Sequence, residues 1–113
     1  VVADRGDIIW TDLDPARGHE QRGVRPALIV ASNSYLAAIR NLILVVPITS
    51  VARRWPHHVE ISGPHTGLAR QSFAMTEQPR TISTERVSRT AGSADEATMS
   101  EVDQWLRDFL ALD

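Results

Sequence analysis

Three residues of this sequence, Arg25, Thr49 and Glu20, have the side chains needed to act together on a phosphodiester. An arginine guanidinium holds two phosphate oxygens at once and stabilises the negative charge that grows on them during displacement. A threonine hydroxyl on the same rim suits the same group. In RNA the 2′-hydroxyl is a built-in nucleophile, so this chemistry requires no metal ion. Glu20 stands in the polar stretch before Arg25 and is a candidate base on a loop that could close over substrate. Each residue also has a purely structural alternative. Arg25 could pair with Asp12 or Asp14, Thr49 could cap a turn, and Glu20 could be a solvated loop charge.

These side chains meet only if the chain carries them to one place. Arg25 ends the polar segment Glu20-Gln21-Arg22-Gly23-Val24 and leads into Pro26 and the apolar Ala27-Leu28-Ile29-Val30. Thr49 lies just past Leu42-Ile43-Leu44-Val45-Val46, five consecutive apolar residues that read as a central strand covered on both faces. Antiparallel pairing of these two strands would bring Arg25 and Thr49 to one rim. Pro26 is acceptable as a first strand residue, since that position can lack a ladder donor.

The remaining elements follow from local signals. Residues 7–13 read as a first strand closed by Asp14-Pro15, with Trp10 in the core. Residues 16–24 form a long loop, and Ser32-Asn33-Ser34 supplies turn and N-cap chemistry for a short helix over 35–39. Pro47-Ile48-Thr49-Ser50 ends the central strand. Strands are predicted over 57–62 and 72–78, the latter broken at Pro79, then a turn over 83–86 and a last strand over 87–90. Gly92 is read as a stop, and Ser93 and Glu96 have capping-box spacing. Met99, Val102, Trp105, Leu106, Phe109 and Leu110 then recur at helical spacing, giving an amphipathic helix packed as a lid on a sheet. Without alternating strands and long helices, a doubly wound parallel sheet is disfavoured. The expected fold is mainly β with α: a small antiparallel barrel with a C-terminal helix.

Composition narrows the classes further. A chain of 113 residues forms one domain able to bury about two thirds of its unfolded surface. The absence of Cys removes disulfides, thiolate zinc sites and Cys nucleophiles, and it fits a reducing compartment. With no membrane-length apolar run and no signal-peptide h-region after Val1, the expected location is cytoplasmic, with no membrane partner. The net charge of −2 hides a division. Residues 1–90 carry 11 Arg against 8 acids, and residues 91–113 carry one Arg against 6 acids. All basic residues are Arg, whose planar fork suits phosphate, although genomic base composition is the simpler source of that bias. The Arg53-Arg54-Trp55 segment mixes charge with an aromatic face, as single-strand binders do.

Other chemistries lack their parts. His57 and His58 are neighbours in a predicted strand and should point to opposite faces, while His19 and His65 lie in loops, so no metal site and no cofactor are expected. Neither a G-x-S-x-G elbow nor a G-x-x-x-x-G-K-[ST] phosphate loop is present.

Six segments in order carry a resemblance: Arg5-Gly6-Asp7-Ile8-Ile9-Trp10, Asp12-Leu13-Asp14-Pro15, Gly18-His19-Glu20-Gln21, Arg25-Pro26-Ala27-Leu28-Ile29-Val30, Pro47-Ile48-Thr49-Ser50 and Gln78-Pro79-Arg80-Thr81-Ile82. Together with Gly67-Leu68 and the terminal helix, they resemble the MazF/PemK family of toxin endoribonucleases (mRNA interferases). The resemblance implies an SH3-like barrel of the MazF, Kid and CcdB kind and a homodimer. It also implies sequence-specific, metal-independent cleavage of single-stranded RNA to 2′,3′-cyclic phosphate and 5′-hydroxyl ends, which inhibits translation and growth. The implied partners are RNA and a cognate MazE-like antitoxin that occludes the RNA groove.

The family's catalytic Arg and Thr fall on Arg25 and Thr49, and its loop Glu on Glu20. Gln21, Asn33, Ser50, Gln78, Arg80 and Thr81 become expected RNA contacts. A guanidinium with a pKa above about 12 is a poor base, so charge stabilisation is the role read for Arg25 and the base stays open. The sequence departs from the family pattern at His19 and Pro79, which bears on the recognition sequence more than on the reaction. Two alternatives remain: a CcdB-like DNA gyrase-binding toxin, for which a C-terminal Trp-Gly-Ile is expected where this sequence has Ala111-Leu112-Asp113, and a catalytically inactive RNA- or antitoxin-binding module.

Overall fold

The structure is a computed structural model that describes residues 3–12 and 23–113. Seven strands, β1 (Asp7–Thr11), β2 (Arg25–Ile29), β3 (Leu42–Thr49), β4 (His58–Glu60), β5 (Phe73–Met75), β6 (Arg80–Ser83) and β7 (Val87–Ser93), accompany helices α1 (Asn33–Ala38) and α2 (Glu96–Leu110). All strand pairs are antiparallel, in the order β4-β5-β3-β2-β1-β7, with β6 also on β3.

The apolar run from Leu42 does not end at Pro47, as the sequence suggested, but continues to Thr49. On one edge β3 pairs with β2 throughout Val45 to Pro47. Its other edge is divided, pairing with β6 through Val45 and with β5 from Ile48. Pro47 falls between those two ladders, where a residue with no N–H is tolerated. The strand β6 itself was missed in the sequence reading because Pro79 signalled a break, yet Arg80 pairs with Val45 directly after it.

Successive residues of β1, β2 and β3 feed two separate cores, as the period of two requires. Ile8, Leu28, Val46 and Ile48 face α2, where Val102 is fully buried and Met99, Trp105 and Leu106 pack against them. Ile9, Ala27, Ile29, Ile43 and Val45 form the second cluster with Ile82, covered by Tyr35 and Leu36 of α1. The central-strand expectation therefore holds. The apolar stripe of α2 is only partly a lid, since Phe109 and Leu110 remain exposed.

Several boundaries shift for identifiable reasons. The first strand ends at Thr11, and Leu13 lies outside the described residues. The second starts at Arg25, with Pro26 opposite Trp10. Helix α1 starts at Asn33, two residues earlier than expected, capped from within the expected segment by Ser32, whose hydroxyl accepts from the Tyr35 N–H at 3.0 Å. The strands predicted over 57–62 and 72–78 shrink to β4 and β5. The last strand does not stop before Gly92 but runs to Ser93. There the residue must be glycine because a Cβ would lie 2.0 Å from the His65 carbonyl oxygen. Ser93 consequently does not cap α2. Asp95 does, accepting from the Thr98 N–H at 2.9 Å and the Thr98 hydroxyl at 2.7 Å.

The expected barrel is not closed by a ladder, because no strand pairing joins β4 to β7 among the described residues. The gap is bridged instead by single bonds, from Ser93 N–H to His65 O at 2.8 Å and from Asp95 N–H to Ser62 O at 3.2 Å. Arg5 ties the same region together by bonding both the Val30 carbonyl and the Asp103 carboxylate of α2. No described helix is long and apolar enough to cross a membrane.

Two outcomes are expected. Gly92→Ala forces His65 away from β7 and should cost on the order of 2–3 kcal/mol in denaturant unfolding. The Asp95 carboxyl is held below its ordinary value of 3.8, chiefly by the Thr98 hydroxyl and then the Thr98 N–H. Its contribution is thus complete above that value and is lost as pH falls through the lower folded value. In thermal melts across acid pH, Asp95→Asn should keep the cap yet remove this component of acid destabilisation, so the gap from wild type narrows as pH falls.

Candidate active site and a second polar cluster

Strand register, rather than sequence proximity, brings Arg25 and Thr49 together. Ala27 pairs with Pro47 where the β2–β3 ladder ends, and Arg25 and Thr49 lie two residues beyond, toward the same end of the two strands. Both line one cleft of about 610 Å³, with Ser50 beside them. Thr49 also fills the structural role considered for it, because its Oγ1 accepts the Val51 N–H at 3.1 Å. That bond uses a lone pair and leaves the hydroxyl proton available to donate, so turn-making and phosphate binding are compatible.

Three further residues of the cleft were not singled out as site residues in the sequence: Trp10, Arg70 and Arg89. Trp10 was read as core, but it is half-buried and lies opposite Arg89 on β7, whose guanidinium sits 5.2 Å from the indole centroid. Its Nε1 is buried without a hydrogen-bond partner among the described residues. The cleft thus offers three guanidinium groups and an aromatic face, which suits a polyanionic strand with stackable bases. In a chain whose every basic residue is arginine, nothing in the sequence marked Arg70 or Arg89 as special.

The other expected contacts do not gather there. Glu20 and Gln21 lie outside the described residues. Asn33 borders a different hollow with Asp4 and Arg40, and its Oδ1 accepts the Arg5 N–H at 2.8 Å. Gln78 is exposed and donates to the Glu77 carboxylate at 3.2 Å. Arg80 and Thr81 pair with Val45 and Leu44 on the β6 edge rather than lining the cleft.

The neighbouring histidines converge instead of pointing to opposite faces. His58 begins β4, but His57 precedes it in a turn, so strand alternation does not separate their side chains. Both turn toward Glu77: His57 Nε2 lies 3.6 Å from Oε1 and His58 Nε2 lies 3.1 Å from Oε2. Partial burial opposes the negative charge of Glu77, but hydrogen bonds from His58 and Gln78 outweigh it and hold the carboxyl below its usual 4.5. Trp55 stacks on His57 at 5.6 Å, and Arg53 lies over Trp55 at the same distance, so the Arg53-Arg54-Trp55 segment serves this cluster.

Comparison with known proteins identifies the family. Residues 4–110 match the family described as PemK-like, MazF-like toxin of type II toxin-antitoxin system. The chain is 40% identical over 113 residues to Endoribonuclease MazF9 of Mycobacterium tuberculosis, covering 96% of each chain. It is 35% identical over 114 residues to Endoribonuclease EndoA of Bacillus subtilis, covering 99% of this chain and 97% of that one. Among solved structures, MazE-MazF (Form-II) from Deinococcus radiodurans aligns with a TM-score of 0.82 at 28% identity, over 100% of this chain and 99% of that one. MazF (Form-I) from the same organism aligns at 0.80 and 26%, over 99% of both. With its strand order, its Arg25–Thr49 rim and a match along nearly its whole length, the chain belongs to the PemK-like, MazF-like family of type II toxin-antitoxin toxins.

Proposed function

We propose that this endoribonuclease toxin cuts single-stranded RNA at short sequences without a metal ion, using Arg25 and Thr49. The observation that carries the reading is their meeting at one rim of an arginine-lined cleft. The scissile phosphate sits between the guanidinium and the hydroxyl. The 2′-oxygen of the preceding nucleotide attacks phosphorus, the bond to the 5′-oxygen breaks, and the products carry a 2′,3′-cyclic phosphate and a 5′-hydroxyl. The proton lost from the 2′-hydroxyl goes to a base, for which Glu20 is the candidate, and the departing 5′-oxygen takes up a proton. Arg25 stabilises the charge on the non-bridging oxygens, which is where positioned donors act most strongly.

Arg70 and Arg89 hold flanking phosphates, and Trp10 offers a face for a base. The working unit is a homodimer acting in the cytoplasm, where cutting RNA stops translation and growth. A MazE-like antitoxin restrains it by placing an acidic segment along the same cleft. We read the sheet as an SH3-like barrel opened between β4 and β7.

The test is incubation of the protein with a diverse pool of single-stranded RNAs in EDTA, mapping the fragment ends. Cleavage should survive chelation and leave the ends named above, and Arg25→Ala should lower its rate by about 100- to 1,000-fold. Thr49→Val, which removes one bond to a charged group, should lower it by roughly 10- to 100-fold. Intact RNA across the pool, or full activity in Arg25→Ala, would refute the assignment. Alanine at Arg70 or Arg89 should weaken RNA binding across sequences and flatten the log–log salt dependence by about 0.7 per residue.

A further inference from the structure

Next to the cleft but outside its lining, the turn before β4 and the turn after β5 bring three potential metal donors together. One ring nitrogen of each imidazole and one oxygen of the Glu77 carboxylate all lie within 4.8 Å of one another. His58 is nearly buried, while His57 and Glu77 keep side-chain exposures of 27% and 29%, so an ion could reach them.

A hydrogen-bonded pair accounts for His58 and Glu77 but not for His57. At 3.6 Å its nitrogen is beyond hydrogen-bond reach of Oε1. Each imidazole instead faces its own oxygen of the carboxylate, His58 at 3.1 Å from Oε2 and His57 at 3.6 Å from Oε1, close to the spacing of about 3.3 Å between neighbouring ligands around a tetrahedral zinc with bonds of about 2.0–2.1 Å. We propose that His57, His58 and Glu77 bind one divalent transition-metal ion, with zinc the best match, leaving its fourth position to water. Two imidazoles and one carboxylate form the donor set of three-ligand zinc sites and are too nitrogen-rich for magnesium or calcium.

The ligands are held in place before any ion arrives. The two turns are cross-linked by the buried Thr76, whose hydroxyl donates to the His57 carbonyl at 2.6 Å. The His58 N–H closes the first turn on Trp55 O at 3.0 Å, and the Gln78 N–H closes the second on Met75 O at 3.1 Å. The His57 ring is confined by Trp55, Trp105 and Phe109, with centroids at 5.6, 6.1 and 5.9 Å. Such packing removes the rotamer freedom that a metal would otherwise have to freeze.

One feature limits the affinity. Among the described residues the buried His58 Nδ1 has no acceptor, and losing that outer support typically weakens metal binding by about 10- to 100-fold. None of the three ligands lines the cleft, so the ion staples the β4–β5 end of the sheet and takes no part in RNA cleavage.

The test uses metal-stripped full-length protein titrated with zinc chloride, followed by calorimetry and by thermal melting, with cobalt(II) as a spectroscopic probe. One equivalent should bind, the melting temperature should rise with zinc concentration, and cobalt should give the visible absorption of a tetrahedral site. Glu77→Gln and His57→Gln, each confirmed folded by circular dichroism, should weaken zinc binding at least about tenfold. His65→Gln, outside the cluster, should leave it unchanged. A melting temperature indifferent to excess zinc would overturn the proposal, as would binding that survives in both cluster variants or disappears in His65→Gln.

Discussion

The structure depends on β3 being paired along both edges and covered on both faces. Its residues supply both hydrophobic clusters, and its two edges hold β2 on one side and β5 and β6 on the other. A slip of one residue would exchange the two clusters and expose one set to the wrong packing partner, so burial on both faces fixes the register strongly. The position of Thr49 relative to Arg25 follows from that register. The geometry of the candidate site is in this sense a by-product of core packing.

Motif segments that look functional divide by what they touch. Arg5-Gly6-Asp7 takes no part in the cleft. Arg5 joins the end of β2 to α2, and Gly6, at a φ of +91°, donates its N–H to Ile29 O and accepts from the Ala94 N–H. These contacts hold the helix over one core and replace part of what a closed barrel would provide. Arg25 and Thr49 instead line the cleft, where Thr49 also accepts the Val51 N–H and so serves the fold as well.

Polar chemistry gathers at two neighbouring places on this small molecule. The cleft is cationic and suited to a polyanion, while the His57–His58–Glu77 cluster is built from acceptors and imidazoles beside aromatic rings. They are joined through β5, since Met75 lines the cleft and Glu77 follows two residues later in the turn. Geometry at one site therefore constrains the chain that leads to the other.

The apolar runs, the terminal helix and the rim expected to unite Arg25 with Thr49 were all legible in the sequence, because burial on both faces and helical spacing leave periodic traces in residue order. Pro79 and Gly92 misled it. Local propensity marks both as breaks, whereas the fold uses Pro79 just ahead of β6 and Gly92 for close approach to His65. The convergence of His57, His58 and Glu77 was equally invisible, since it depends on two turns 19 residues apart meeting at one end of a strand pair. So were Arg70 and Arg89, identical in type to every other basic residue. By itself the sequence determined which segments are apolar enough to be strands and offered Arg25, Thr49 and Glu20 as candidates for phosphodiester chemistry. Only the tertiary structure decided which polar side chains share a site, because contacts between distant segments are set by strand register and turn geometry, which local composition does not encode.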